Sequence, residues 1–147
     1  KTTVESGVYQ EKLRRRNPDV AIEVLATPLL APMIEEGFSQ DKISHTIIEN
    51  YLSNPKFEGI DALILGCTHY VLIADEISEY FDGKVKLFDS TDILAIKLRD
   101  ILENEGLLSQ EEKGENKFYV SDFTKGFNES ASRFYGEDLK LELNKLN

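Results

Sequence analysis

The sequence predicts an α/β fold with a mainly parallel sheet, and three observations carry that prediction. Strand-like and helix-like patterns alternate along the 147 residues. The strand candidates are short apolar runs, the clearest being Ala62-Leu63-Ile64-Leu65. Breaks such as Asn17-Pro18, Asn54-Pro55 and Asp82-Gly83 punctuate the pattern where a connection is needed.

Taken in order, residues 4–16 read as a helix stopped by Asn17-Pro18. Residues 21–26 form a strand candidate with Ile22, Val24 and Ala26 on one face. Thr27-Pro28 breaks it and starts a helix through Glu36 that Gly37 closes, kept short by Pro32. Ser39 is placed to cap a longer helix with Ile43, Ile47, Ile48, Tyr51 and Leu52 on one stripe. The strand at 62–65 follows, then a helix to about Phe81, and a strand at 84–88. Asp89-Ser90 leads into a helix ending near Gly106, with Leu94, Leu98, Ile101 and Leu102 expected to face inward. An acidic loop at 110–116, a strand at 117–120, a helix at about 122–135 and a charged tail complete the chain.

The bulk properties bound the function. A hydrophobic content of 41% suffices for one domain with a sizeable core, or one domain and part of another. A net charge of −10 repels phosphates and argues against nucleic acid. The short basic run Arg14-Arg15-Arg16 fits a helix end, where cations suit the dipole. A single cysteine excludes an internal disulfide framework. No apolar stretch resembles a signal or spans a bilayer, so no membrane partner and a cytoplasmic location are expected. The chain begins at Lys1 without an initiator methionine, which suggests a fragment or a processed form.

The chemistry concentrates at Gly66-Cys67-Thr68-His69, where a strand end presents a thiol, a hydroxyl and an imidazole in succession. Reactive side chains often sit at the carboxyl ends of such strands. A helix amino terminus after the strand would offer free N–H groups and a positive dipole end, favouring a thiolate and an anionic substrate. His69 is placed to relay a proton and Thr68 to hold a carboxylate oxygen. The competing reading makes Cys67 a small buried hydrophobe; the residue order favours function. Glu35-Glu36 offers a carboxylate to orient a histidine, set against a plain solvated helix end. Asp89-Ser90 either serves the site or caps a helix. Thr2-Thr3 with Ser6 places hydroxyls near a helix start. One cysteine and two histidines, with His45 distant in sequence, give no metal-ligand spacing. No arginine follows Cys67 within a dozen residues, so a phosphatase-like phosphate cradle is unsupported.

Several segments, in the right order, resemble glutamate racemase, within the aspartate/glutamate racemase superfamily. Thr3-Val4-Glu5-Ser6-Gly7-Val8-Tyr9 is similar to the family's T-V-x-S-x-x-Y segment. Residues 28–37 resemble its P-L-x-x-P-x-x-E-x-G segment, and Leu63 to Tyr70 its L-x-L-G-C-T-H-Y signature, the most specific of the set. Asp89-Ser90 and the stretch from Phe118-Tyr119 to Gly136 fit the family's carboxyl-terminal part. The resemblance implies a three-layer α/β sandwich, with residues 1–88 forming most of the second of two racemase domains. Residues 89–147 would then return to pack onto the first domain, and without it would expose apolar surface and make the chain associate, rearrange or be marginally stable.

The resemblance further implies cofactor-independent interconversion of L- and D-glutamate, supplying D-glutamate for peptidoglycan, in an enzyme that is a homo-oligomer at full length. Two cysteines on opposite faces of the substrate act as acid and base. Cys67 matches the second, expected to take the proton from L-glutamate. His69 is then its helper, Glu36 (before Glu35) a further one, and Thr68 and Thr3 bind substrate. The family's Asp-Ser-Gly-x-Gly-Gly loop and Cys-Asn-Thr segment are absent, so the chain is expected to be inactive alone. Val71 stands where the family usually has proline, and Thr27 where many members carry a non-catalytic cysteine. An aspartate-type racemase and a non-enzymatic binding module of the same fold are the alternatives.

Overall fold

The computed structural model describes residues 2–109, 114–123 and 125–145, with the side chains of 125 and 126 left aside. It is an α/β structure whose strand pairings are all parallel among the described residues, in two compact units, 1–89 and 90–147.

In the first unit the expected helix at 4–16 is two helices, α1 (Thr2–Glu5) and α2 (Val8–Arg16). Gly7 separates them at φ 66°, a left-handed conformation that only glycine adopts without penalty. Residues 21–26, expected as a strand, take no strand pairing. Their alternation survives only as burial: Ile22 and Val24 are half-buried and Leu25 packs against the core. α3 (Leu30–Glu35) buries Leu30, Met33 and Ile34, and Gly37 ends the segment at φ 85°. Pro32 sits in its first turn, where a missing N–H costs little.

α4 (Lys42–Leu52) is capped by Asp41, not by Ser39. The Asp41 carboxylate accepts from the N–H groups of Ile43 and Ser44, each at 2.8 Å, and the Ser44 hydroxyl accepts from Asp41 N–H at 3.1 Å. Ser44 is fully buried and donates to the buried carboxylate of Glu76, which also accepts from Gln40 N–H at 2.9 Å. That partnering satisfies a carboxylate that would otherwise be costly to bury. β1 (Ala62–Ile64) pairs in parallel with β2 (Lys86–Phe88), Leu63 opposite Leu87. The crossover between them is a six-residue 3₁₀ turn, Thr68–Ile73, followed by α5 (Ala74–Tyr80). The core is built by Leu30, Met33, Ile34, Ile48, Leu52, Phe57, Leu65, Ile73 and Ile77.

In the second unit α6 (Thr91–Asn104) forms where the period predicts it. Its apolar stripe does not face inward as expected: Leu94 is 62% exposed, Leu98 57% and Ile101 41%. A period of 3.6 fixes which residues share a face but not what covers that face. β3 (Phe118–Val120) is followed by α7 (Lys125–Tyr135). The tail expected to be merely charged contains β4 (Leu141–Leu143), parallel to β3 with Phe118 opposite Leu141. Of the acidic loop at 110–116, residues 110–113 lie outside the described residues.

Candidate active site

Cys67 leaves the β1 edge in an extended conformation (φ −144°, ψ 139°) and its carbonyl accepts from Tyr70 N–H at 3.1 Å, opening the 3₁₀ turn. With three residues per turn, Cys67, Tyr70 and Ile73 fall on one side of that turn. Ile73, 1% exposed, anchors that side in the core, while Cys67 and Tyr70 are half-buried. The expected α-helix amino terminus is therefore a short 3₁₀ segment, which aligns few peptide dipoles. Polarisation of the thiol falls instead to side chains.

The side chains are in place. The Cys67 Sγ lies 3.6 Å from His69 Nδ1, and His69 Nε2 lies 2.9 Å from Glu35 Oε1. A carboxylate only accepts, so Nε2 is the donor to Glu35, and Nδ1 is the ring atom that faces the thiol, able to accept from S–H in the neutral ring. The result is a thiol–imidazole–carboxylate line able to draw a proton from sulfur and return it. The carboxylate in it is Glu35. Glu36, the first choice from sequence, is one residue further round and past the helix end, exposed to solvent. The two glutamates flank opposite sides of the stripe made by Leu30, Met33 and Ile34, and His69 stands on the Glu35 side.

Thr68 is exposed at the first position of the 3₁₀ turn, directly after Cys67. Thr3 is exposed on α1, where its carbonyl accepts from the Ser6 hydroxyl at 2.8 Å. The α1–α2 region reaches the Cys67 turn through Tyr9, whose hydroxyl would stand 3.6 Å from a Cβ at Gly66. His45 is elsewhere, exposed on α4 beside a cavity of about 220 Å³ that Glu49, Glu76 and Tyr80 also line. Among the described residues no group of three or more histidine, cysteine, aspartate or glutamate side chains is arranged to hold a metal ion. Ser90 occupies the cap position of α6 without a side-chain hydrogen bond to the helix.

Sequence reasoning missed the contact between Tyr70 and Thr27. Their hydroxyl oxygens are 2.7 Å apart, and Tyr70 O–H reaches the Thr27 carbonyl at 3.3 Å. Burial pushes the Tyr70 phenol above its ordinary 10.0; the Thr27 hydrogen bond works against this, and the nearby Cys67 and Tyr51 add to it. The pair is separated by 43 residues, so no local pattern reveals it. The one available signal was the i, i+3 relation of Tyr70 to Cys67, legible only once the turn is known to be 3₁₀.

No family model matches the chain. Full-length relatives do. The chain is 37% identical to glutamate racemase of Geobacter metallireducens over 93% of its own residues and 51% of that protein. It is 35% identical to the Aquifex aeolicus glutamate racemase over 96% of its residues and 52% of that protein. Among solved structures, glutamate racemase from Francisella tularensis, in complex with D-glutamate, superposes with a TM-score of 0.85 at 31% identity, over 99% of this chain and 54% of that one. The chain thus spans about half the length of the curated relatives it matches. Sequence and structure agree in matching the chain to the carboxyl-terminal portion of glutamate racemases.

Proposed function

We propose that this chain supplies one proton-transfer face of a glutamate racemase, with Cys67 as the acid/base that acts on the α-carbon. The observation that carries the reading is the Cys67–His69–Glu35 line, set in a chain similar to a racemase solved with D-glutamate. The Cys67 thiolate takes the α-proton of L-glutamate: the C–H bond breaks, an S–H bond forms, and the electron pair is left on carbon and its carboxylate. A donor on the opposite face returns a proton to give the D-enantiomer, and the reverse reaction runs through the same groups. His69 holds the thiol proton between turnovers and Glu35 orients His69. Thr68 and Thr3 are the candidates for holding the substrate's carboxylate and amino groups. Such a site must stabilise a carbanion without an electron sink, which demands fixed donors and excluded water. Cys67 is the only cysteine, so the opposite-face thiol of a two-cysteine mechanism must come from outside this chain, and the chain alone does not racemise. Residues 89–147, by the same reading, pack against the amino-terminal half that the relatives possess.

The test uses the single thiol. Alkylation of Cys67 at neutral pH slows about three- to ten-fold in Glu35→Gln, because a glutamine cannot polarise the imidazole as a carboxylate does, and is unchanged in Glu36→Gln. Equal rates in wild type and Glu35→Gln would refute the line. Incubation of glutamate with the chain in deuterated water leaves its optical purity intact; racemisation by the chain alone would refute the two-faced reading.

A further inference from the structure

We propose that Tyr70 is a positioning residue for the Cys67 site: its hydroxyl, joined to Thr27, clamps the start of α3 to the turn that carries Cys67 and His69. The proposal rests on the reading of Cys67, His69 and Glu35 as a proton-transfer line. α3 is only six residues long, and the segment from Thr27 to Glu35 that contains it meets the 3₁₀ turn at both ends. At its far end Glu35 reaches His69. At its near end the Thr27 carbonyl accepts both Leu30 N–H, at 3.2 Å, and Tyr70 O–H, at 3.3 Å, while the two hydroxyls meet at 2.7 Å. Tyr51 also holds this end, accepting from Leu29 N–H at 3.2 Å, but it ties α3 to α4 rather than to the reactive turn. The Tyr70–Thr27 pair is therefore a polar tie that fixes the start of the α3 segment relative to Cys67, and the length of that segment sets where Glu35 arrives.

The geometry explains why a tie is needed. The Glu35–His69 contact is half in solvent, with the side chains 58% and 27% exposed, and such a pair contributes little to holding its own geometry. A displacement of α3 by a fraction of its hydrogen-bond length would turn the carboxylate from acceptor of Nε2–H into a bystander. Among the described residues, His69 contacts the thiol and Tyr70 on the same turn interacts with it electrostatically; Glu35 from α3 contacts the far side of His69, and Tyr9 from α2 lies beside Gly66. The role assigned to Tyr70 is exerted through the placement of Glu35 against His69.

The experiment reads the pH profile of Cys67 alkylation by iodoacetamide, followed by intact mass, in wild type, Tyr70→Phe, Thr27→Val, Thr27→Ser, Glu35→Gln and the Tyr70→Phe/Thr27→Val pair. Tyr70→Phe and Thr27→Val shift the profile in the direction of Glu35→Gln and slow the neutral-pH rate about three- to ten-fold. Thr27→Ser, which keeps the hydroxyl, restores the wild-type profile, and the double variant is no slower than Tyr70→Phe alone, because loss of the phenol already removes its contacts with both the Thr27 hydroxyl and the Thr27 carbonyl. Profiles for Tyr70→Phe and Thr27→Val that superpose on wild type, with Glu35→Gln still displaced, overturn the clamp and leave the proton-transfer line standing. A Glu35→Gln profile identical to wild type overturns the line and the clamp together. Should Tyr70→Phe fail to fold, as judged by circular dichroism, the Thr27→Val and Thr27→Ser comparison decides alone.

Discussion

At Tyr70 a single residue combines burial, a hydrogen bond and the neighbourhood of the thiol. Because burial raises its phenol above 10.0, the folded chain holds this proton more tightly than the unfolded chain does. The stability it contributes is whole below pH 10.0 and is lost as pH rises through the folded value. Denaturant midpoints measured across the alkaline range therefore fall more steeply in wild type than in Tyr70→Phe, and parallel curves would contradict this. Glu35 illustrates the opposite balance. Its exposed contact with His69 is worth no more than about 1 kcal/mol, so its consequence lies in orientation of the imidazole rather than in stability.

Among the elements, α4 shows how a cap sets a register that a core residue then depends on. Asp41 and Ser44 close a capping box, and the same Ser44 hydroxyl serves buried Glu76 of α5. Removal of the cap therefore loosens the start of α4 and the tie to α5 at once. Asp41→Ala is expected to destabilise the chain by about 1 kcal/mol or somewhat more, whereas Ser39→Ala stays within about 0.5 kcal/mol. Urea denaturation of the two variants checks the assignment, and a larger effect at Ser39 would reverse it. The 3₁₀ turn is the other decisive element. Its tighter winding turns Cys67 and Tyr70 to the same side, which an α-helix beginning at the same residue would not do so closely.

For the whole chain, the two units differ in how they treat apolar surface. The first encloses a contiguous core, whereas α6 leaves Ile93, Leu94, Ile96 and Leu98 each more than half exposed. Apolar stripes of this kind mark surfaces that another body covers. The chain by itself is expected to self-associate with rising concentration in sedimentation velocity, and Leu94→Glu with Leu98→Glu to reduce that association. A wild-type chain that stays monomeric at all concentrations would show the stripe to be tolerated in water.

The order of α/β elements, the Asp82-Gly83 turn and the place of Gly66-Cys67-Thr68-His69 just after a strand were legible from local pattern, because strands, helices and turns each impose a short-range period or a special backbone angle. The Glu35–His69 contact, the unpaired backbone at 21–26, the strand β4 in the tail and the Tyr70–Thr27 tie were not legible. Each depends on which distant backbone or side chain stands opposite, and a one-dimensional pattern does not record that. The place of the thiol could thus be read from its neighbours in the chain, while the side-chain contacts around it were chosen by packing, which joins Thr27 to Tyr70 and Glu35 to His69 across more than thirty intervening positions.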